Sequence, residues 1–207
     1  MSFDFDFPIE KTPMNAAMVM PPPSRLFDDD PTSRDRYEII DGQEREMPPM
    51  STNSAMIANR LTRLLGNFGE SHELGEACTE VLIKLPLPVD RNRRPDVAFV
   101  PYSRWPKYRP LPDTNAWAVL PDLCVEVVSP SDLIEENLEK IGEYFRAGVR
   151  LVWIVYPRQQ LVDVCETFHL IRRLTRTDVL EGGNVLPGFR LPLEELFPTP
   201  PAIEVTE

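Results

Sequence analysis

The stretch PDLCVEVVSP, residues 121–130, decides the fold: an apolar run closed by proline at either end, with one carboxylate, Glu126, inside the segment LCVEVV. An apolar run of this length between turn residues reads as a strand covered on both faces, as in sheets with helices packed against them. Upstream, PDVAFVP (95–101) repeats the pattern with Asp96 at its beginning, and downstream LVWIVYP (151–157) supplies another buried strand.

Helical periodicity separates these runs. After Ser51 or Thr52, either able to cap, Ile57, Leu61, Leu64, Leu65 and Phe68 recur on one helical face, with Gly69 or Gly75 near the end. Ser129-Pro130-Ser131-Asp132 opens a second helix, whose Ile134, Leu138, Ile141 and Phe145 form an apolar stripe and whose Gly148 fits the left-handed cap position. The segment YEIIDGQEREMPP (37–49) predicts a hairpin turning at Asp41-Gly42. ACTEVLIKLPL (77–87) predicts one further strand, followed by an Arg-rich turn, and LVDVCE, FHLIRRL and the segment from Val179 predict short strands before a brief terminal helix. The fold class is therefore α/β (α+β), a mixed β-sheet flanked by helices.

The 23 prolines punctuate this pattern and gather toward the ends. Residues 1–33 show neither a 2.0 nor a 3.6 period and predict a disordered acidic, Pro-rich tail; residues 198–207 predict a second flexible acidic tail, leaving a single domain at 34–197. No run of 18 apolar residues occurs, and the first residues carry acids where a secretory signal would carry bases, so a cytoplasmic location without membrane contact is expected. Cys78, Cys124 and Cys165 lack metal-ligand spacing and read as reduced thiols.

The net charge is -11 over 207 residues, which argues at first against a polyanionic partner. Its distribution changes the picture. The first 33 residues hold six acids against two bases, and residues 194–207 hold four acids and no base, so the ends carry -8 and the middle only -3. Arg91, Arg93, Arg94, Arg104, Lys107 and Arg109 bracket Asp96, as a basic rim or as a solvated loop would.

Asp96 and Glu126 are the informative residues, because an ionised carboxylate in an apolar strand costs several kcal/mol unless it is partnered. If their strands are neighbours, the two acids face one cation, and an oxygen-only site suits Mg²⁺, with Mn²⁺ as a substitute. Taken singly, Asp96 would satisfy turn donors and Glu126 would pair with an arginine. Lys140, on the helix after the Glu126 strand, lies off the apolar stripe; Glu136, four residues earlier, would equally hold it in a solvent-exposed ion pair. Glu80 is a further acid among apolar neighbours, able to reach a metal through water.

At these residues the chain resembles the Uma2 family of restriction-endonuclease-like proteins, within the PD-(D/E)xK nuclease superfamily. The resemblance is carried by YEIIDGQEREMPPMS, RRPDVAFVP, PDLCVEVVSPSD, EKIGEYFRAGVRLVWIVYP and DVLEGGNVLPGFRLPLEELF, in that order between about residues 36 and 197. It implies a restriction-endonuclease-like core, with Asp96 and Glu126 binding a divalent metal. The superfamily's lysine position, two residues after the strand acid, is Val128 here, and similar proteins supply the lysine from the next helix, which points to Lys140.

The implied activity is Mg²⁺-dependent endonucleolytic hydrolysis of DNA. The Val127 carbonyl would complete the metal set, Lys140 would orient water, Arg93, Arg94, Arg104 or Lys107 would hold the DNA backbone, and a homodimer would cut both strands. The rival readings are an inactive nuclease-like interaction module and a metal-dependent hydrolase of a small phosphoester.

Overall fold

The structure, a computed structural model, describes residues 36–130 and 132–197. The tails expected at 1–33 and 198–207 lie outside the described residues, as does Ser131.

The chain runs β1 (Tyr37–Ile40), β2 (Gln43–Glu46), α1 (Thr52–Ser71), β3 (Gly75–Thr79), β4 (Ile83–Lys84), β5 (Arg91–Arg93), β6 (Val97–Pro101), β7 (Leu123–Val127), α2 (Ile134–Ala147), β8 (Leu151–Tyr156), β9 (Leu161–Cys165), β10 (Ile171–Leu174), β11 (Val179–Glu181), β12 (Arg190–Pro192) and α3 (Leu193–Leu196). Six strands form the main sheet in the order β10-β9-β8-β7-β6-β3, and four form a smaller one in the order β2-β1-β5-β4. Only the central β7–β8 pair of the main sheet is parallel, because α2 carries the chain back between those strands; the other pairs are antiparallel. This is the mixed sheet flanked by helices that the sequence predicts.

Side-chain alternation sorts the main sheet into two cores. Val97, Phe99, Val125, Val127 and Trp153 face α1, whose Ile57, Leu61 and Leu65 pack on them. Ala98, Cys124, Val152 and Ile154 face the other way, onto Ile141 and Tyr144 of α2 and Ile83 and Leu85 at β4. Even-numbered positions of β6 and β7 therefore look toward α2.

The predicted hairpin forms with Asp41 and Gly42 both at positive φ, and Ser51 caps α1 through its Oγ, which accepts from the Ser54 amide at 3.1 Å. Gly148 closes α2 at φ 99°. Tryptophan serves packing: Trp153 is fully buried, and Trp105 and Trp117 meet edge to face.

Three local expectations fail. ACTEVLIKLPL is not one strand, because Glu80 takes a positive φ of 52° and hands β4 to the smaller sheet. The Arg-rich turn is a strand, β5, whose arginines pair with acids across it. The stripe on α2 is buried only in its second half, at Ile141 and partly at Phe145. Ile134 is 78% and Leu138 47% exposed, whereas Lys140 and Glu143 are buried at 7% and 1%. A helix whose polar side faces the interior needs partners for every charge it buries, and α2 finds them on β1, β5 and β7.

Candidate active site

Asp96 and Glu126 converge because of the strand register. Val97 pairs with Val125 across β6 and β7, so one step outward Asp96 stands opposite Glu126, and both are even-numbered positions facing α2. Asp96 Oδ2 accepts the Val127 amide at 2.6 Å, which fixes the aspartate against the end of β7. Burial, then the nearby negative charge of Glu126, pushes the Asp96 carboxyl up to about 7.

Glu126 is buried, and each of its oxygens has a partner. Lys140 Nζ donates to Oε2 at 2.9 Å, and Tyr144 Oη donates to Oε1 at 2.6 Å. Lysine and tyrosine lie four apart on α2, one turn, so a single helix face reaches both oxygens. Burial raises the Glu126 carboxyl against the pull of Lys140 and Tyr144. Burial works to lower Lys140, but the surrounding charges of Glu126, Glu38 and Asp96 outweigh it and hold the ammonium protonated.

Glu38 on β1 completes the cluster and escapes the sequence reading. Its Oε1 lies 3.2 Å from Lys140 Nζ and accepts the Arg94 amide at 2.8 Å, while Oε2 accepts Arg93 Nη1 at 2.7 Å. Burial opposes its ionisation, yet Lys140, Arg93 and the Arg94 amide together hold it below the usual carboxylate range. A signal existed: Glu38 stands between Tyr37 and two isoleucines, the same acid-in-an-apolar-strand pattern that singled out Glu126. The short strand and its exposed hairpin partner hide that pattern. Glu143 is hidden because it stands on a helix in which six of fourteen residues are charged.

The predicted basic rim does not assemble here. Arg93 is 4% exposed and sits between Glu38 and Glu143, whose Oε2 accepts its Nε at 2.5 Å. Arg94 lies over the Tyr37 ring and donates to the Glu80 carbonyl at 2.5 Å. Arg104 pairs with Asp122 at 2.7 Å, and Lys107 lies over the rings of Tyr102 and Tyr108. Asp122 and Tyr102 mark the opposite ends of β7 and β6 from the acids, about 13 and 20 Å away along the strands at 3.3 Å per residue. Glu80 is held by Arg36 at 2.6 Å, with its backbone amide donating to the Asp96 carbonyl. Lys140 makes no pair with Glu136, which faces Arg45 at 3.7 Å.

The acids open into a cavity of about 140 Å³ between the β1–β2 hairpin and α2, lined by Glu38, Asp96, Glu126, Val127 and Lys140. Its mouth carries Arg36 and Arg45 beside Glu46, Asp132, Glu136 and Glu139. Among the described residues no group of three or more His, Cys, Asp or Glu is placed to hold a metal ion.

The mixed sheet flanked by helices is a restriction-endonuclease-like fold. The chain belongs to the Uma2 family, described as "Putative restriction endonuclease", whose pattern it matches over residues 26–194. Among solved structures it is similar to the crystal structure of "a putative nuclease belonging to DUF820" from Anabaena variabilis, with a TM-score of 0.68 and 18% identity over 78% of this chain and 89% of that one. No curated protein matches the chain. No helix among the described residues is long and apolar enough to cross a membrane.

Proposed function

We propose that this protein is a divalent-metal-dependent endonuclease that hydrolyses phosphodiester bonds of DNA, with Asp96 and Glu126 as metal ligands and Lys140 as the catalytic cation. The observation that carries this reading is the convergence of Asp96, Glu126 and Lys140 in one cavity. Two buried carboxylates facing each other, one pushed up to about 7, form a site that gains from a cation, and an all-oxygen set suits Mg²⁺, with Mn²⁺ as substitute. Family membership supports nuclease chemistry.

Bound there, a divalent ion would supply water activation and neutralisation of phosphate charge. Asp96 and Glu126 would hold the ion, with the Val127 carbonyl as the third ligand proposed. Lys140 places its ammonium beside the attacking water and the scissile phosphate, where it offsets developing negative charge. The water oxygen joins phosphorus and gives up a proton to solvent, the bond from phosphorus to the leaving sugar oxygen breaks, and that oxygen takes up a proton from solvent. Tyr144 keeps Glu126 in one orientation through its hydrogen bond. One site serves one strand, so double-strand cleavage calls for a homodimer.

Incubation of plasmid with the protein and Mg²⁺ or Mn²⁺ tests the reading, with Glu126→Gln and Lys140→Ala alongside. Metal-dependent nicking by the wild type, lost in both variants, is the expected result. Cleavage that persists unchanged in Glu126→Gln removes the mechanism. A second reading, a nuclease-like module without catalysis, draws on the internal pairing of Lys140 with Glu126 and Glu38; a wild type that neither binds metal nor cuts selects it.

A further inference from the structure

The Glu38 carboxylate is immobilised on one side and shared on the other. Arg93 and the Arg94 amide hold it at 2.7 and 2.8 Å. Arg93 is itself locked, because Glu143, almost fully buried, takes its Nε, and Arg91 Nε lies 3.0 Å from the other oxygen of Glu143. Lys140, by contrast, carries its charge on a four-carbon stem with rotatable bonds. Its ammonium bridges Glu126 at 2.9 Å and Glu38 at 3.2 Å.

Between them Lys140 and Tyr144 occupy both oxygens of Glu126. Each oxygen keeps a second lone pair, but a divalent ion held by Asp96 and Glu126 would repel the ammonium at Oε2, a like charge, whereas the neutral Tyr144 hydroxyl at Oε1 is not repelled. Glu38 is the carboxylate already within reach and unable to follow.

We infer that Glu38 is a positioning residue: a fixed acceptor onto which Lys140 shifts when a divalent ion takes Glu126, keeping the ammonium at the reaction centre. The inference rests on the metal-dependent reading of Asp96 and Glu126. It assigns the Arg91–Arg93–Glu143 cluster a purpose, which is to keep Glu38 in place while Lys140 moves.

Calorimetric titration of the full chain with Mn²⁺ tests it, using the wild type, Glu38→Gln, Lys140→Met and the double variant. Gln keeps an oxygen for the Arg94 amide, loses the charge and turns an NH₂ toward Arg93, a cost common to both backgrounds that cancels in the comparison. Glu38→Gln should weaken Mn²⁺ binding about tenfold, since Lys140 then stays on Glu126, and the same change in the Lys140→Met background should cost about twofold or less. Equal losses in the two backgrounds mean that Glu38 acts on the metal directly and overturn the inference. A wild type that binds no Mn²⁺ overturns the metal reading itself, an outcome distinct from equal losses. Should Glu38→Gln fail to fold, crystals of the wild type grown with Ca²⁺ decide: Lys140 retained on Glu38 and released from Glu126 supports the inference, and the reverse pairing overturns it.

Discussion

Asp96 stands opposite Glu126 across the antiparallel β6–β7 pair, and its Oδ2 accepts the amide of Val127, the residue after Glu126. The two acids are thus held together by backbone register, while the helix cation Lys140 is paired with only one of them, Glu126.

On the proposed metal-dependent reading, this arrangement sets the pH dependence of Mn²⁺ binding. With the Asp96 carboxyl pushed up to about 7, an incoming ion displaces its proton below that value, so Mn²⁺ affinity should rise close to tenfold per pH unit up to about 7 and level off above. Calorimetry across buffers of differing ionisation enthalpy reads the released proton, which Asp96→Asn should abolish.

The same group has a stability consequence in the metal-free protein. A folded-state value above the ordinary 3.8 means that the native state binds the proton more tightly, so this contribution is full at low pH and is lost as pH rises toward about 7. Metal-free Asp96→Asn should therefore melt above the wild type at about pH 8 and lose that advantage near pH 4, as read by circular dichroism.

Tyr144→Phe removes the donor to Glu126 Oε1 and leaves a buried carboxylate oxygen unmatched. Hydrogen bonds to charged groups contribute about 1.5–3 kcal/mol, a loss visible in denaturant titration. Because that bond works to lower Glu126, its absence should also move the acidic limb of the cleavage profile to higher pH.

Arg93→Ala leaves Glu38 and Glu143 facing each other without their shared cation. Breaking a buried pair by removing one partner costs about 3–5 kcal/mol, so a drop in Tm of roughly 10 °C is expected by calorimetry. Unchanged melting would show that water replaces the guanidinium.

Arg104→Ala and Lys107→Ala should change cleavage less than about twofold, because both side chains lie at the far end of β6 and β7 from the acids. Arg36 and Arg45 are the bases at the cavity mouth, and neutralising them should weaken DNA binding and flatten its salt dependence.

The sequence by itself determined the elements whose signals are local. The apolar runs of β6, β7 and β8, the Asp41-Gly42 turn, the Ser51 cap and the Gly148 terminus are each written in a few adjacent residues, and the period of two put Asp96 and Glu126 on one face once their strands paired. What only the tertiary structure decided is which charges those acids meet. Glu38, Arg93 and Glu143 come from a hairpin, a short strand and a helix spread over 106 positions of the chain, and no local rule reports a meeting at that separation. For α2 local periodicity held only in part: Ile141 is buried and Phe145 packs against the core. Ile134 and Leu138 remain exposed, while Lys140 turns inward to the carboxylates of Glu38 and Glu126 and Glu143 to the guanidinium groups of Arg91 and Arg93, each charge gaining the partner its burial requires.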